Sequence, residues 1–320
     1  MHTFPAATKG QRLSSNTGTK STAFGATSII HRAQNVARKL VGLCLVACAA
    51  VVLTGCSTLR LAYNQAPNLG YWWIDGFVDL SDRQSAPLRQ DIDTFLAWHR
   101  SQELPRYAER LQQWQGMAAK DITADQACGE FGVLRAAYLR AVQQSTPALT
   151  QLAITLQPKQ LDHLQQHHNK SNTKFAKEWL KGTPKERLAR QADKTEERYE
   201  TLYGKLSSRQ VDLIEEHLQR SVFDPEHLQA ERLRRQADLL SAIAQAQNQP
   251  AQAEATLRAW HDRVMRSPNA AYASENEARI REGCEQFAAV HNTTSAEQRT
   301  HALRVLKSYE ADVRALIKGS

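Results

Sequence analysis

One short pattern recurs along the chain and constrains its fold more than any other feature. It is an aliphatic residue, then serine or threonine, then glutamine three positions later, as in Leu80–Gln84, Ile122–Gln126 and Leu206–Gln210. Leu156–Gln160 and Thr294–Gln298 are weaker copies. In such a capping box the hydroxyl accepts a hydrogen bond from an amide of the first helical turn, and the glutamine side chain bonds the amide of the cap residue. Each copy therefore predicts the beginning of a helix.

Apolar side chains between these helix starts recur three and four residues apart. Clear examples run from Leu104 to Trp114, from Ala127 to Ala141 and from Leu188 to Leu202. This spacing places apolar residues on one face of a helix. Helix ends are indicated at proline and glycine, for example at Pro147 and Gly204, and short connections favour antiparallel neighbours. The sequence therefore predicts an all-α protein, either an elongated helical bundle or a chain of antiparallel helical hairpins.

A charge-free apolar segment, residues 40–55, precedes the helical part. It follows an Arg-Lys pair, in the order of a secretory signal, and its 16 residues are fewer than the about 20 that a membrane-spanning helix needs. The segment ends in Leu53, Thr54, Gly55 and Cys56, which resemble the lipobox of bacterial lipoproteins. This resemblance implies cleavage after Gly55 and a covalent lipid on the Cys56 sulfur. The alternatives are an uncleaved signal anchor and a secretory signal with an incidental cysteine.

The lipobox divides the chain into three parts. Residues 1–55 are expected to be a signal peptide, of which 1–35 are too long and polar for a signal and are interpreted as a misassigned or disordered extension. Residues 56–80 are expected to be a lipidated, aromatic-rich, membrane-proximal segment, and 81–320 a helical domain. Because Ser57 and not aspartate follows the cysteine, the Gram-negative sorting pattern predicts a lipid-anchored protein on the periplasmic face of the outer membrane.

The positive charge of the chain is concentrated in its first part. Residues 1–55 carry six of the 41 lysines and arginines and none of the 33 acidic residues, so the remainder has a net charge near +2. A general basic surface, which nucleic-acid binding needs, therefore has no support in the mature chain. We expect no nucleic-acid partner.

The mature chain keeps two cysteines besides the lipidated one, Cys128 and Cys284. An even number of thiols in an oxidising compartment can form a disulfide. Two free buried cysteines fit the sequence equally well, so the pairing stays open here.

Aromatic residues crowd into the stretch after the lipobox, among them Tyr71, Trp72 and Trp73. They can form an interfacial patch that contacts the membrane or a partner. The favoured interpretation is that the rings fold back and close the end of the helical bundle, because aromatic residues dominate cores.

Two stretches resemble known families. Cys56–Asn64 and Leu69–Asp75 are similar to the start of a family of uncharacterised proteobacterial lipoproteins, a helical domain of unknown function, and the similarity extends over the mature chain. The resemblance implies a helical outer-membrane lipoprotein and brings no catalytic residues. The repeats of Leu, Ser or Thr, and Gln resemble those of Spy-type periplasmic chaperones, which implies a surface that binds unfolded clients.

Candidate catalytic groups are few. His163 and His167 are four residues apart on one helical face, as zinc ligands can be, and His168 follows them. The glutamate of the metalloprotease motif and a third ligand are missing, so a solvated polar face is the better interpretation. No nucleophile elbow or phosphate loop is present. We therefore expect no enzyme, no metal and no cofactor beyond the lipid.

These observations predict an outer-membrane lipoprotein that acts as a periplasm-facing helical binding module. Its partner is expected to be an unfolded client, in a chaperone-like role, or another envelope protein. A structural or assembly accessory of an envelope complex is the alternative. A metal-dependent hydrolase built around His163 is the third hypothesis.

Overall fold

The computed structural model of the protein describes residues 57–319. Its α-helices, in chain order, are α1 Ser57–Asn64, α2 Ala66–Val78, α3 Asp82–Trp98, α4 Leu104–Ala118, α5 Ala124–Thr155, α6 Pro158–Phe175, α7 Pro184–Tyr203, α8 Ser208–Gln219, α9 Pro225–Asn248, α10 Ala253–Met265, α11 Ala270–Asn292 and α12 Ala296–Ile317. Single π-helical turns follow α3 and α6, a 3₁₀ turn precedes α10, and no strand occurs among the described residues. The prediction of an all-α protein is confirmed.

The repeated pattern marks helix starts as predicted. The glutamine of each box accepts a hydrogen bond from the backbone N–H of the cap residue at distances of 2.8–3.0 Å. The cap residues are Ser81, Thr123, Gln157, Ser207 and Ser295. The side chain therefore satisfies an amide that has no partner within the helix.

Two apolar clusters hold the helices together. The larger one lies among α4, α7, α8, α11 and α12, and its centre includes Ile214 and Val290, both fully buried. The second lies among α2, α5, α6, α9 and α10 and includes Leu164 and Ile243. The long helix α5 packs against α3, α9, α10 and α11. It therefore contacts helices that contribute to both clusters.

Helix α5 also corrects one prediction. A helix end was expected at Pro147, yet the helix continues for eight residues beyond it to Thr155. A proline inside a helix removes one backbone donor. Thr146 lies beside it and its hydroxyl donates to the Val142 carbonyl at 2.6 Å. The expected end at Gly204 is confirmed, because α7 ends there with a positive φ of 73°.

A buried ion pair fixes the junction between α3 and α4. Glu103, at the end of the π-helical turn, is 1% exposed, and the Arg140 guanidinium of α5 donates to both carboxylate oxygens at 2.7 and 2.8 Å. The hydrogen bonds from Arg140 hold the pKa of the Glu103 carboxyl below its ordinary value. Bidentate pairing of this kind offsets the cost of burying the carboxylate.

Candidate ligand-binding cleft

A half-open cleft of about 1010 Å³ lies between α4, α5, α11 and α12, and the ends of α7 and α10 and Arg235 of α9 also line it. Its walls are mainly apolar and include Leu111, Trp114, Phe131, Leu134, Ile280 and Phe287. Pockets that bind small molecules usually measure about 300–1,000 Å³ and have mostly apolar walls with a few polar groups. The cleft is therefore at the large end of the range for ligand sites.

A disulfide between Cys128 of α5 and Cys284 of α11 lies at the wall of this cleft, with the two Cα atoms 5.3 Å apart. Near the start of α5, Ile122 exchanges two backbone hydrogen bonds with the Asn292 side chain, both 2.9 Å long. These two connections show that α5 and α11 run antiparallel. The bond thus joins the two helices that form the longest sides of the cleft.

One face of α5 presents partly exposed apolar side chains to the cleft, although the Tyr138 hydroxyl lies 3.3 Å from His261 Nε2 of α10. Phe131, Leu134 and Tyr138 are 42%, 50% and 49% exposed, and all three line the cleft. Their spacing of three and four residues places them in one row. A contiguous exposed apolar surface of this kind is typical of an interaction site.

The cleft wall contains more cationic than anionic side chains. Among the described residues, it is lined by three arginines and one carboxylate: Arg135, Arg235, Arg279 and Glu130. Glu130 already accepts a hydrogen bond from the Trp114 indole at 2.8 Å and has a guanidinium nitrogen of Arg110 3.3 Å away. The cleft is thus apolar with a surplus of positive charge.

A buried hydrogen-bonded chain that includes Tyr203 and His291 lies in the wall of the cleft. The His291 ring donates from Nε2 to the Lys120 carbonyl, which can only accept, at 2.8 Å, so its Nδ1 accepts from the Tyr203 hydroxyl at 2.8 Å. Burial raises the pKa of the Tyr203 hydroxyl and lowers the pKa of the His291 ring. Both side chains are therefore held neutral, and their contacts position the wall.

The histidines of the predicted metal site contact α2. His163 Nε2 lies 3.2 Å from the Gly76 carbonyl, and the ring of His167 lies 3.9 Å from the ring of Phe77, centroid to centroid. His168 is buried on the opposite side of α6, and burial lowers the pKa of its ring. No group of three or more His, Cys, Asp or Glu residues within residues 57–319 is arranged to hold a metal ion. The contacts of His163 and His167 join α6 to α2.

The aromatic segment after the lipobox divides into two parts. Tyr71 is bonded to the Ser85 hydroxyl at 2.9 Å, with the Arg89 guanidinium 3.6 Å from its ring centre, and Phe77 packs against the second apolar cluster. Trp72 and Trp73, in contrast, are 60% and 66% exposed. The interpretation that these rings close the bundle is therefore wrong for the two tryptophans. Leu53–Cys56 lie outside the described residues.

The cleft residues were not recognised as a site from the sequence. Phe131, Leu134 and Tyr138 belong to the apolar face that the spacing in α5 predicted. A face that packs against another helix and a face that lines an open cleft have the same periodicity. The crowding of three large exposed side chains is visible only in the fold.

None of the helices formed by residues 57–319 is long and apolar enough to span a membrane. Comparison with protein families matches residues 76–275 to a family of unknown function, DUF6279. The match extends from the end of α2 into the start of α11, and it includes all of α5. No curated protein and no solved structure matches the chain.

Proposed function

The chain belongs to the family of unknown function DUF6279, and we propose that it is a lipid-anchored binding protein on the periplasmic face of the outer membrane. In this proposal it holds the apolar part of an envelope component in the cleft between α5 and α11. It acts by binding and not by catalysis.

The observation that carries this proposal is the exposed apolar wall of the cleft. Phe131, Leu134 and Tyr138 leave 42–50% of their surface uncovered in one row. Covering apolar surface is favourable by about 25 cal/mol per Å². An apolar ligand group that fills the cleft is stabilised by covering these three side chains.

The sequence around the lipobox supports the location. The apolar segment that ends in Leu53, Thr54, Gly55 and Cys56 has the features of a lipoprotein signal. Trp72 and Trp73, 16 and 17 residues after the cysteine, are exposed on the first part of the described fold. Tryptophan is enriched at membrane–water interfaces. We assign these two side chains to the membrane surface.

A chaperone-like role is one form of this function. A holdase needs an accessible apolar surface to bind unfolded clients, and the cleft supplies one. The resemblance of the capping-box repeats to Spy-type chaperones agrees with this role. The structural or assembly accessory is the alternative, and it requires one stable envelope partner in place of many clients.

Site-specific photocrosslinking tests the proposal on the full-length protein in living Gram-negative cells. A benzophenone amino acid replaces Leu134 in one strain and Leu233 in another. Leu233 is the matched control for Leu134. The two side chains are 48% and 50% exposed, and Leu233 lies outside the cleft. Adducts are measured by intact mass and by gel mobility after purification.

We expect adducts at Leu134 and none at Leu233, and we expect Ile280→Asp on the facing helix to abolish them. A range of polypeptide adducts supports client binding, one polypeptide supports the assembly role, and a small mass increase supports a small ligand. Equal labelling at the two positions, or none at either, contradicts the proposed use of the cleft.

A further inference from the structure

We propose that the natural ligand of the cleft is an amphiphile with an anionic headgroup and an alkyl chain. The headgroup binds to Arg135 and Arg279, and the chain lies along the apolar row of α5. This assignment rests on the proposed function, because it names the ligand class of the same cleft.

The two arginines lie at the same end of the cleft. Helices α5 and α11 run antiparallel and are joined by the disulfide between Cys128 and Cys284. Arg135 is seven residues after Cys128, and Arg279 is five residues before Cys284. Both positions therefore lie on the same side of the disulfide, about 10 Å and 7–8 Å along their helices.

Neither guanidinium is neutralised by a carboxylate of the protein. The Arg279 guanidinium lies over the Phe223 ring, 5.1 Å from its centre, and its buried Nη1 has no hydrogen-bond partner among the described residues. Arg135 is exposed, and it forms no ion pair or hydrogen bond within residues 57–319. Arg235, in contrast, donates to Glu231 at 2.7 Å. A buried donor without a partner is costly, so an anionic oxygen of a ligand at this position is strongly favoured.

The apolar part of the cleft fits an alkyl chain. The row that lines it on α5 extends from Ala127 to Tyr138, which corresponds to about 16 Å of helix. Each methylene that leaves water adds to the binding free energy, which is why long chains bind strongly to such surfaces. An ion without a chain would leave this row exposed, and a neutral alkane would leave Arg279 Nη1 without a partner.

Photoreactive lipids test the assignment on the full-length lipoprotein in phosphatidylcholine vesicles, which carry no net charge. The probes are photoreactive palmitate, photoreactive lysophosphatidylglycerol and, as the neutral analogue, photoreactive hexadecanol. Labelling of the peptides that contain Leu134 and Ile280 is quantified by mass spectrometry. The variants are Arg135→Gln, Arg279→Gln and the double variant, and Arg83→Gln removes one exposed charge outside the cleft as the control.

We expect one or both anionic probes to label these peptides. Loss of one hydrogen bond to a charged group lowers binding about tenfold, so the double variant, which removes both guanidinium groups, should lower that labelling more than tenfold. Hexadecanol labelling and Arg83→Gln should show no such loss. Labelling by palmitate alone identifies a free fatty acid as the source, and labelling by lysophosphatidylglycerol identifies a phospholipid. Arg135→Gln changes an exposed side chain and should leave the helical circular dichroism intact.

The result that overturns the assignment is equal labelling by the three probes in every variant, which would leave the apolar cleft in place without selection for an anion. Adducts at Leu134 in cells together with no lipid labelling would also overturn it, since the cleft would then hold another ligand class. No adduct in cells and no lipid labelling would overturn the proposed function as well.

Discussion

Gln210 and Gln298 exchange side-chain amide hydrogen bonds, 2.9 and 3.0 Å long, although 88 residues separate them. Each is also the third helical residue after a capping-box serine, so its side-chain oxygen accepts from the N–H of its own cap residue. Each amide nitrogen bonds a carbonyl two residues before the partner's cap, that of Lys205 or Thr293. The starts of α8 and α12 are therefore joined with local twofold symmetry.

The starts of α3 and α6 are joined in the same way. Gln84 and Gln160 exchange hydrogen bonds of 3.2 and 2.9 Å. Their amide nitrogens bond the Thr155 and Asp79 carbonyls, again two residues before the partner's cap. The paired boxes thus act as long-range ties as well as helix caps.

Removal of one paired glutamine should cost more than removal of an unpaired one. Gln210→Ala removes both hydrogen bonds to Gln298 and leaves the Ser207 N–H without its side-chain acceptor. We expect it to lower the free energy of unfolding by about 2 kcal/mol. Gln126→Ala, in the exposed box of α5, should cost about 1 kcal/mol or less. Urea unfolding measures both. A double-mutant cycle with Gln298→Ala should give a coupling of about 1 kcal/mol, and strict additivity would contradict the tie.

Loss of the disulfide should destabilise the protein without changing its helix content. The bond joins residues separated by 156 positions, and a native disulfide of this kind contributes about 2–4 kcal/mol. The double variant Cys128→Ser and Cys284→Ser is therefore expected to have a free energy of unfolding lower than that of the wild type by about 2–4 kcal/mol, measured by urea unfolding. Wild-type protein kept in a reducing agent serves as the control. Two free thiols in the oxidised wild-type protein, counted by alkylation and mass, would rule the bond out.

Acid should destabilise the fold through its buried histidines. Burial lowers the pKa of His291, His168 and His99 below 6.5. The histidines of the unfolded chain therefore take up protons before those of the folded protein as the pH falls. The free energy of unfolding is not reduced by these histidines above pH 6.5, and it decreases as the pH falls below that value. Each such histidine contributes at most about 1.4 kcal/mol per pH unit.

The variant His291→Gln should flatten this pH dependence, since glutamine can accept from Tyr203 and donate to Lys120 without titrating. Unfolding midpoints at pH 7.5 and 5.5 measure the difference. His227 is the contrasting control, because its hydrogen bond to Glu275 raises the pKa of the exposed ring. Its replacement by glutamine should not flatten the curve. Identical slopes for the wild type and His291→Gln would refute the assignment.

Intact mass should reveal the membrane anchor. For protein purified from the envelope of a Gram-negative host, we expect a chain that begins at Cys56 and carries the mass of acyl groups. Two or more acyl chains make attachment stable. Cys56→Ala should abolish the acyl mass and the processing at this site. An unprocessed or unacylated wild-type chain would exclude the lipoprotein proposal.

The exposed tryptophans should contact lipid once the protein is anchored. In vesicles that contain brominated lipid, we expect quenching of the tryptophan fluorescence of the wild-type protein. The double variant Trp72→Phe and Trp73→Phe should lose most of it, whereas Trp114→Phe, in the cleft wall, should keep it. Because both side chains are exposed, the variant should unfold at the same urea concentration. Unchanged quenching in this variant would place the two side chains away from the bilayer.

Local features of the fold were predictable from the sequence, and nonlocal ones were not. The boxes at Ser81, Thr123 and Ser207 predicted helix starts because a cap involves only neighbouring residues. Nothing in the sequence indicated that Gln84 and Gln210, the glutamines of two of these boxes, bond to glutamines 76 and 88 residues away. The helix end expected at Pro147 was wrong, since α5 continues to Thr155 and packs against four other helices along its length.

The candidate site illustrates the same division. The apolar row of α5 was predictable from the spacing of apolar residues in the sequence. The exposure of its side chains, in contrast, depends on how far α4, α11 and α12 lie from it. The pairing of Cys128 with Cys284 also depends on the packing of α5 against α11. Arg135 and Arg279 are ordinary surface residues in the sequence, and only their common position in the cleft suggests an anion.

The bond between Cys128 and Cys284 also makes a covalent ring that contains every connection between α5 and α11. A protease that cuts any one of these loops opens the backbone but releases no fragment. The disulfide keeps both sides of the cleft in one molecule of the cleaved protein until it is reduced. Limited proteolysis therefore leaves a single band on a non-reducing gel and two on a reducing one.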